Sequence, residues 1–468
     1  VLRLALLPVL AAPLLFGGCV LLDPTDPYAG MSAYRLYAGA ASRPAATRPI
    51  QGPLTLDESI RVALANNPEL LATEREVDAA AAQRDMVAGQ RLPSLRVTGG
   101  YNYYLDSQRL TAAQENGEAG VFSRNIFAGD IVVSLPLLTG GRITSEVKAA
   151  ELLQKSAEHR LSRTREEIVF NVSSVFYSIL VQRRVIESLE FSKKALQEHL
   201  KQVKDLLAAQ KAAKVDQLRT EVRLADLEQR LVKERNVLAI QARVLTNLLG
   251  LDSPEKPVEP AGELVFVQAT IPEVESALRD AFGGRADYLA ARAALEAQAK
   301  TVDAARAAYW PTISLQGAYG GRWAADPTEQ QAGSSTSGDV GRVGVVVDIP
   351  IFEGGRVNAR IRQEKARLLA AQERLRRLQL QIHLDIETAV LNISSSTQRV
   401  KAIEKAVEQA KESLRIEREK YDLGKGAIVD VLDAQSAVLE SQMNYYRALA
   451  DLNIAIAQMK LATGEKLK

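Results

Sequence analysis

The chain repeats itself. Ser134-Leu135-Pro136-Leu137-Leu138-Thr139-Gly140-Gly141-Arg142 returns as Asp348-Ile349-Pro350-Ile351-Phe352-Glu353-Gly354-Gly355-Arg356, a shift of 214 positions from Ser134 to Asp348. The same shift relates Val215-Asp216-Gln217-Leu218 to Val429-Asp430-Val431-Leu432, and Gly250 to Gly464. Upstream, Leu92-Pro93-Ser94-Leu95 meets Trp310-Pro311-Thr312-Ile313 at a shift of 218. A unit of roughly 200 residues is far longer than a solenoid repeat, so one structural unit is built twice. The repeats are assigned to residues 54–250 and 273–464, with a Pro-rich connector at 251–272 and a short tail at 465–468.

Each unit reads helix, strand, loop, strand, helix, helix. Strands are expected at 94–106 and 125–138, and again at 312–323 and 340–351. Their period of two puts Leu95, Val97, Tyr101 and Tyr103 on one face and Arg96, Thr98 and Asn102 on the other. In the second copy Ile313, Leu315, Tyr319 and Trp323 oppose Ser314, Gln316 and Arg322, while Val343, Val345 and Val347 oppose Arg342 and Asp348. Segments of about ten residues, apolar on one side and aromatic near their ends, resemble outer-membrane barrel strands, the other reading being the edge hairpin of a soluble sandwich. The polar stretches Ser107 to Arg124 and Ala324 to Asp339 read as exposed loops.

Beyond each Gly-Gly pair a helical pattern runs unbroken by Pro or Gly, through about Gln210 in the first copy and Leu423 in the second. At ~1.5 Å per residue such helices approach 100 Å, and their mixed three- and four-residue apolar steps suit a coiled coil. Each turns back, near Lys211 to Lys214 and near Gly424-Lys425-Gly426, and ends at Gly250 or Gly464. Four strands cannot close a barrel, and an open edge is not tolerated in hydrocarbon. Two chains would supply eight strands and three would supply twelve. The expected fold class is mainly α with a membrane β-barrel portion, internally duplicated, in an obligate oligomer.

These junctions, with Tyr421-Asp422-Leu423-Gly424 leading into Ile428-Val429-Asp430-Val431-Leu432-Asp433-Ala434, resemble the TolC-type outer-membrane factors. The opening Leu54-Thr55-Leu56-Asp57-Glu58-Ser59 with Ala65-Asn66-Asn67-Pro68 is similar to their first helix, so the resemblance covers about residues 50–468. It implies a homotrimer with a 12-stranded barrel in the outer membrane and a 12-helix periplasmic tunnel. It further implies a passive exit channel served by a periplasmic membrane-fusion adaptor and an inner-membrane pump of RND or ABC type. The expected cargo is small toxic molecules, with a type I protein-secretion channel as the alternative. A lipid-anchored coiled-coil scaffold is the alternative outside transport.

Asp430 and Asp433 share a helix face just after the second turn. Repeated around an axis they would form a negative ring that concentrates cations. The resemblance puts both at the periplasmic entrance. The other reading is that they favour the positive end of a helix. Asp216 is the first-copy equivalent of Asp430, whereas Asp433 matches Arg219. Tyr421 corresponds to a family tyrosine of the closed gate, so Tyr421 and Asp216 are the candidate gate residues, the other reading of Tyr421 being ordinary helix packing. The family's accompanying arginine would fall at Gly426, beside Lys425. Lys211, Lys214, Gly424, Lys425 and Gly426 mark the expected adaptor-contact turns.

The N-terminus reads as a signal peptide over residues 1–18, followed by a linker over 19–53. Leu4 to Phe16 is nearly all apolar, and Gly17-Gly18 precede Cys19, the only cysteine. The segment resembles a lipoprotein site that would add an acyl anchor in outer-membrane lipid at Cys19. An ordinary signal peptide with an incidental Cys19 is the other reading. With 59 basic against 57 acidic residues, nothing points to nucleic acid. His159, His199 and His383, the only histidines, are read as surface residues without metal-ligand spacing. No phosphate-loop motif occurs, so no cofactor and no enzyme activity are expected.

Overall fold

The computed structural model describes residues 54–113, 120–210, 213–251, 258–330 and 334–465. All belong to one compact unit, Pro53–Lys468. The signal peptide, the linker, Cys19 and Lys211 lie outside the described residues.

The first copy contains α1 (Leu56–Asn66), α2 (Pro68–Gly89), β1 (Ser94–Arg109), β2 (Val121–Leu138), α3 (Arg142–Ala208) and α4 (Lys214–Leu248). The second contains α5 (Val274–Gly284), α6 (Ala286–Arg306), β3 (Thr312–Ala324), β4 (Pro327–Gln330), β5 (Ser337–Asp348), α7 (Arg356–Asp422) and α8 (Ile428–Thr463). Both α3 and α7 are 67 residues long, about 100 Å at 1.5 Å per residue. Among the described residues no helix is long and apolar enough to cross a membrane.

The named strands pair antiparallel in the order β1-β2-β3-β5, with β4 added beside β2, so the two copies are stitched into one sheet by the β2–β3 pair. The register sets Tyr101 beside Phe127 and Phe127 beside Trp323. Across three strands the Tyr101 ring lies tilted against Phe127 and Phe127 stacks on Trp323, with centroids 4.8 and 5.3 Å apart. Large apolar side chains on this face, including Leu95, Val97, Ile131 and Val343, are exposed in the single chain.

The loops are shorter than the sequence suggests. β1 continues to Arg109, β2 begins at Val121, and β4 and the start of β5 occupy much of 324–339. Leu110, Val121, Ile126 and Ala324 form a small buried core there. Ser123, fully buried, donates to Asp326 O and accepts from the Asn125 amide. Polar composition hid these extensions because their backbone amides are satisfied by cross-strand partners, which leave no apolar period in sequence.

The long helices bury their seams on one another, with α6 close-packed against α3 through Ala286, Ala290, Ala293 and Ala297. Buried Ser156 of α3 donates to Ala290 O at 2.9 Å, which alanine-sized neighbours permit. Both Gly-Gly pairs adopt positive φ, 58° and 84° at Gly140 and Gly141 and 59° and 79° at Gly354 and Gly355. Backbone geometry, which L side chains resist, thus turns each strand into its helix.

A second pair of glycines closes each copy. Gly250 and Gly464 have φ of 66° and 71° and sit against the α1–α2 and α5–α6 breaks. Asn67 caps α2, accepting from the Glu69 and Leu70 amides, and donates to Leu248 O at 2.9 Å. Arg285, its equivalent, reaches Ala462 O, the counterpart of Leu248, and pairs with Asp287 and Asp385 at 2.9 and 2.7 Å. A β-carbon on Gly250 would lie 2.3 Å from Asn66 O. Gly250→Ala therefore combines a disfavoured backbone with a clash, and should destabilise the fold by more than ~1 kcal/mol. A thermal melt of the detergent-solubilised protein checks this. The exposed Gly89→Ala, with open space around it, should leave the melting temperature unchanged or raised.

Candidate functional site

The two hairpin turns come together at one end of the helices. Leu196 of α3, Leu224 of α4, Leu414 and Tyr421 of α7, and Ile428, Val431 and Leu432 of α8 pack into one cluster. Every tip residue singled out in the sequence, apart from Lys211, is carried by this cluster or the turns beside it.

The second turn is a C-terminal cap. Gly424 has φ of 70°, its amide donates to Tyr421 O, and the Lys425 amide donates to Lys420 O at 2.8 Å. This satisfies the last carbonyls of α7. The first turn achieves a similar bend with Gln210 at φ 58°, the only described non-glycine residue with positive φ. Gly426 abuts α7, where a β-carbon would lie 3.1 Å from Lys420 Cβ and 3.2 Å from the Tyr421 amide. Lys214 opens α4 and donates to Gln217 at 2.7 Å.

Asp216 and Asp430 occupy the third position of α4 and α8, near the positive helix ends. Asp216 accepts from the Ala213 amide at 3.3 Å. Asp430 and Asp433 are both exposed. Asp433 pairs with Arg223 of α4 at 2.9 Å, which the pattern of spacing could not have shown because the partner lies on the other hairpin. The solvated pair adds little stability, but it brings a cation to one of the two carboxylates.

Tyr421 is partly buried. Burial first, then the charges of Asp216 and Asp422, push its phenol pKa above 10.0. Its ring meets His199 edge-on, with centroids 5.7 Å apart. His199 is therefore not a surface histidine. Its Nε2 is shielded from solvent without a protein partner, beside a cavity of about 560 Å³ lined also by Arg418, Asp422, Gln435 and Gln442. Among the described residues no cluster of His, Cys, Asp and Glu could hold a metal.

The outer membrane efflux protein family model matches residues 59–251 and 277–465, one match on each copy. The chain belongs to this family. It is 24% identical over 413 residues to the outer membrane protein TolC of Vibrio cholerae, covering 87% of this chain and 90% of that protein. It is 23% identical over 414 residues to the cobalt-zinc-cadmium resistance protein CzcC of Cupriavidus metallidurans, covering 88% and 90%. Among solved structures, the outer-membrane channel OprN superposes with a TM-score of 0.75 at 21% identity, over 88% of this chain and 90% of that one. The chain is thus an outer-membrane exit channel of the efflux type, with the helical tunnel and β-barrel fold of that family.

Burial, then the Arg418 charge, lowers the pKa of His199 below 6.5, against opposing effects of Asp422 and Gln202. Lys194 and Glu198 share its helix, and α8 presents only uncharged residues to the cavity. A depressed folded pKa means that an opened tip binds the proton more readily. Stability of the packed tip is then full above about pH 6.5 and falls as pH drops through that range. Comparing thermal unfolding of wild type and His199→Gln at about pH 7.5 and 5.5 tests this. The variant should lose part of the acid destabilisation, and identical pH shifts in both would refute the assignment.

Proposed function

We propose that three copies assemble into one continuous conduit, a twelve-stranded barrel leading into a twelve-helix tunnel. The observation that carries this reading is the pair of open edges on β1 and β5 of a sheet whose outer face is apolar. Unpaired strand amides are not tolerated in hydrocarbon, and pairing β1 of one copy with β5 of the next removes both edges. The exposed apolar stripes on α4 (Val215, Leu218, Val222) and α7 (Leu380, Leu384, Leu391) would be covered by the same neighbours. Cys19 would carry a lipid anchor to the same membrane.

The conduit is passive. A membrane-fusion adaptor meets the hairpin turns around Lys211 to Lys214 and Gly424 to Gly426, and an inner-membrane pump of RND or ABC type supplies the driving force. Small toxic molecules are the cargo. The relatives bear names as different as TolC and a cobalt-zinc-cadmium resistance protein, which favours a duct that exports what its pump delivers. A type I secretion channel uses the same duct with another pump. At the entrance Asp430 and Asp433 from each copy form a cation-attracting ring, which Tyr421 and Asp216 border as gate residues.

Planar-bilayer recordings test the proposal. Wild type should give small, cation-selective currents, and Asp430→Asn/Asp433→Asn should reduce the selectivity. Arg223→Ala should increase it by freeing Asp433. Selectivity indifferent to all of these substitutions would remove the ring. A protein without conductance and without SDS-resistant strands would remove the conduit.

The adaptor contact has its own check. Lys214→Glu/Lys425→Glu should weaken cross-linking of the tip to a co-expressed membrane-fusion adaptor while the oligomer stays intact. Unchanged cross-linking would place the contact elsewhere.

A further inference from the structure

On the sheet face opposite Tyr101, Phe127 and Trp323, one band carries an excess of positive charge, while Asp348 lies on the same face three rows below Arg342. Between the Ser94–Ser134 and Asn102–Ile126 pairs, this face carries four charged side chains among the described residues: Arg96, Asp130, Arg322 and Arg342. The register puts Arg96 and Arg342 at the two ends of one row, Arg96-Val132-Ala318-Arg342. Asp130 lies in the next row and Arg322 in the one after. Same-face rows are about 7 Å apart along a strand, so the three rows form a band roughly 14 Å deep.

Asp130 is already engaged. Arg322 donates to both of its carboxylate oxygens, at 2.8 and 3.0 Å. This pair joins β2 to β3 and would suffice as an ordinary cross-strand contact. Arg96 and Arg342 are different. Both are exposed and neither makes an ion pair with another described residue. The short Val132 and Ala318 between them leave both guanidinium groups access to the space in front of the sheet. Within this band each copy keeps two uncompensated positive charges.

We infer that the strand-lined part of the duct is an anion-attracting throat, opposite in sign to the acidic tip, selecting solutes that carry a carboxylate or phosphate. The inference rests on the closed-barrel reading, which turns this face toward the lumen. Three copies then bring nine arginines and three aspartates into one narrow band. Low-dielectric walls focus such a field and raise the local concentration of the opposite charge. Guanidinium also matches carboxylate and phosphate oxygens two at a time. A solute with a cationic and an anionic end is favoured at both mouths, whereas a simple cation is favoured at the tip and opposed at the throat.

The experiment places a thiol in the band and measures the local potential from the outside, independently of the tip. Ala318→Cys, next to Arg342 across the β3–β5 pair, is introduced into the full-length protein in the outer membrane. Its reaction rates with anionic and cationic methanethiosulfonate reagents of matched size are normalised to a free thiol. The chain without this substitution gives the Cys19 background. At low salt the anionic reagent should be favoured roughly tenfold, and salt should reduce the preference. Arg96→Gln/Arg342→Gln should bring the ratio toward one, and Arg96→Lys/Arg342→Lys should keep it above one.

An equal or faster cationic reaction in the parent, or a ratio unmoved by the glutamines, overturns the throat. Heat-modifiable SDS migration is scored on the same samples. Its absence overturns the barrel reading itself, and so is distinguishable from failure of the throat in an intact barrel.

Discussion

Backbone amides in hydrocarbon must find partners, and this single constraint organises the molecule. Four antiparallel strands satisfy each other internally but leave the outer sides of β1 and β5 open. The aromatic and aliphatic face of the sheet makes water no refuge. The chain is therefore an incomplete object, and its helices are incomplete in the same way, with apolar stripes that no intrachain partner covers. Positive-φ glycines at 140–141 and 354–355 link the two halves of the problem. They fix how each strand enters its helix, so in the proposed assembly strand pairing between protomers and helix packing between protomers have to be solved together.

Duplication built the unit twice without making the copies equal. Asn67 and Arg285 hold corresponding carbonyls, Leu248 O and Ala462 O, but one does so as a neutral cap and the other as a buried cation between two aspartates. Gln210 takes the left-handed conformation that Gly424 takes in the other turn. Asp433 has no acidic counterpart, since Arg219 stands there, and it reaches instead to Arg223 of the first copy. Equivalent backbones thus carry unequal charge, and the tip's chemistry comes from the differences between the copies.

What the sequence made legible were features written in local periodicity or in the repeat: the strands, the long helices, both turns, and the exposed Asp430 and Asp433. Contacts between distant segments were not legible. Nothing within reach of His199 along the chain signals that it packs on Tyr421, more than two hundred residues away. The Arg223–Asp433 pair is hidden for the same reason. The strand ends and β4 escaped because polar side chains on a fully hydrogen-bonded ladder resemble a loop in composition. The alternation of Arg96, Arg322 and Arg342 was visible, but only the register revealed that Arg96 and Arg342 share a row.

The aromatic row also serves as a ruler. Trp323 and Ile313 lie on the same apolar face of β3, ten residues apart. That is about 33 Å along a strand, and roughly 25 Å along the bilayer normal at the tilt usual for such barrels. Exposed Trp310 and Phe352 stand beyond the lower end of this span, as the Tyr101-Phe127-Trp323 row stands at the upper. The sheet is therefore cut for a thin bilayer, and a thicker one would have to compress around it. The spacing of its aromatic rings thus sets the bilayer thickness that the sheet matches with least distortion.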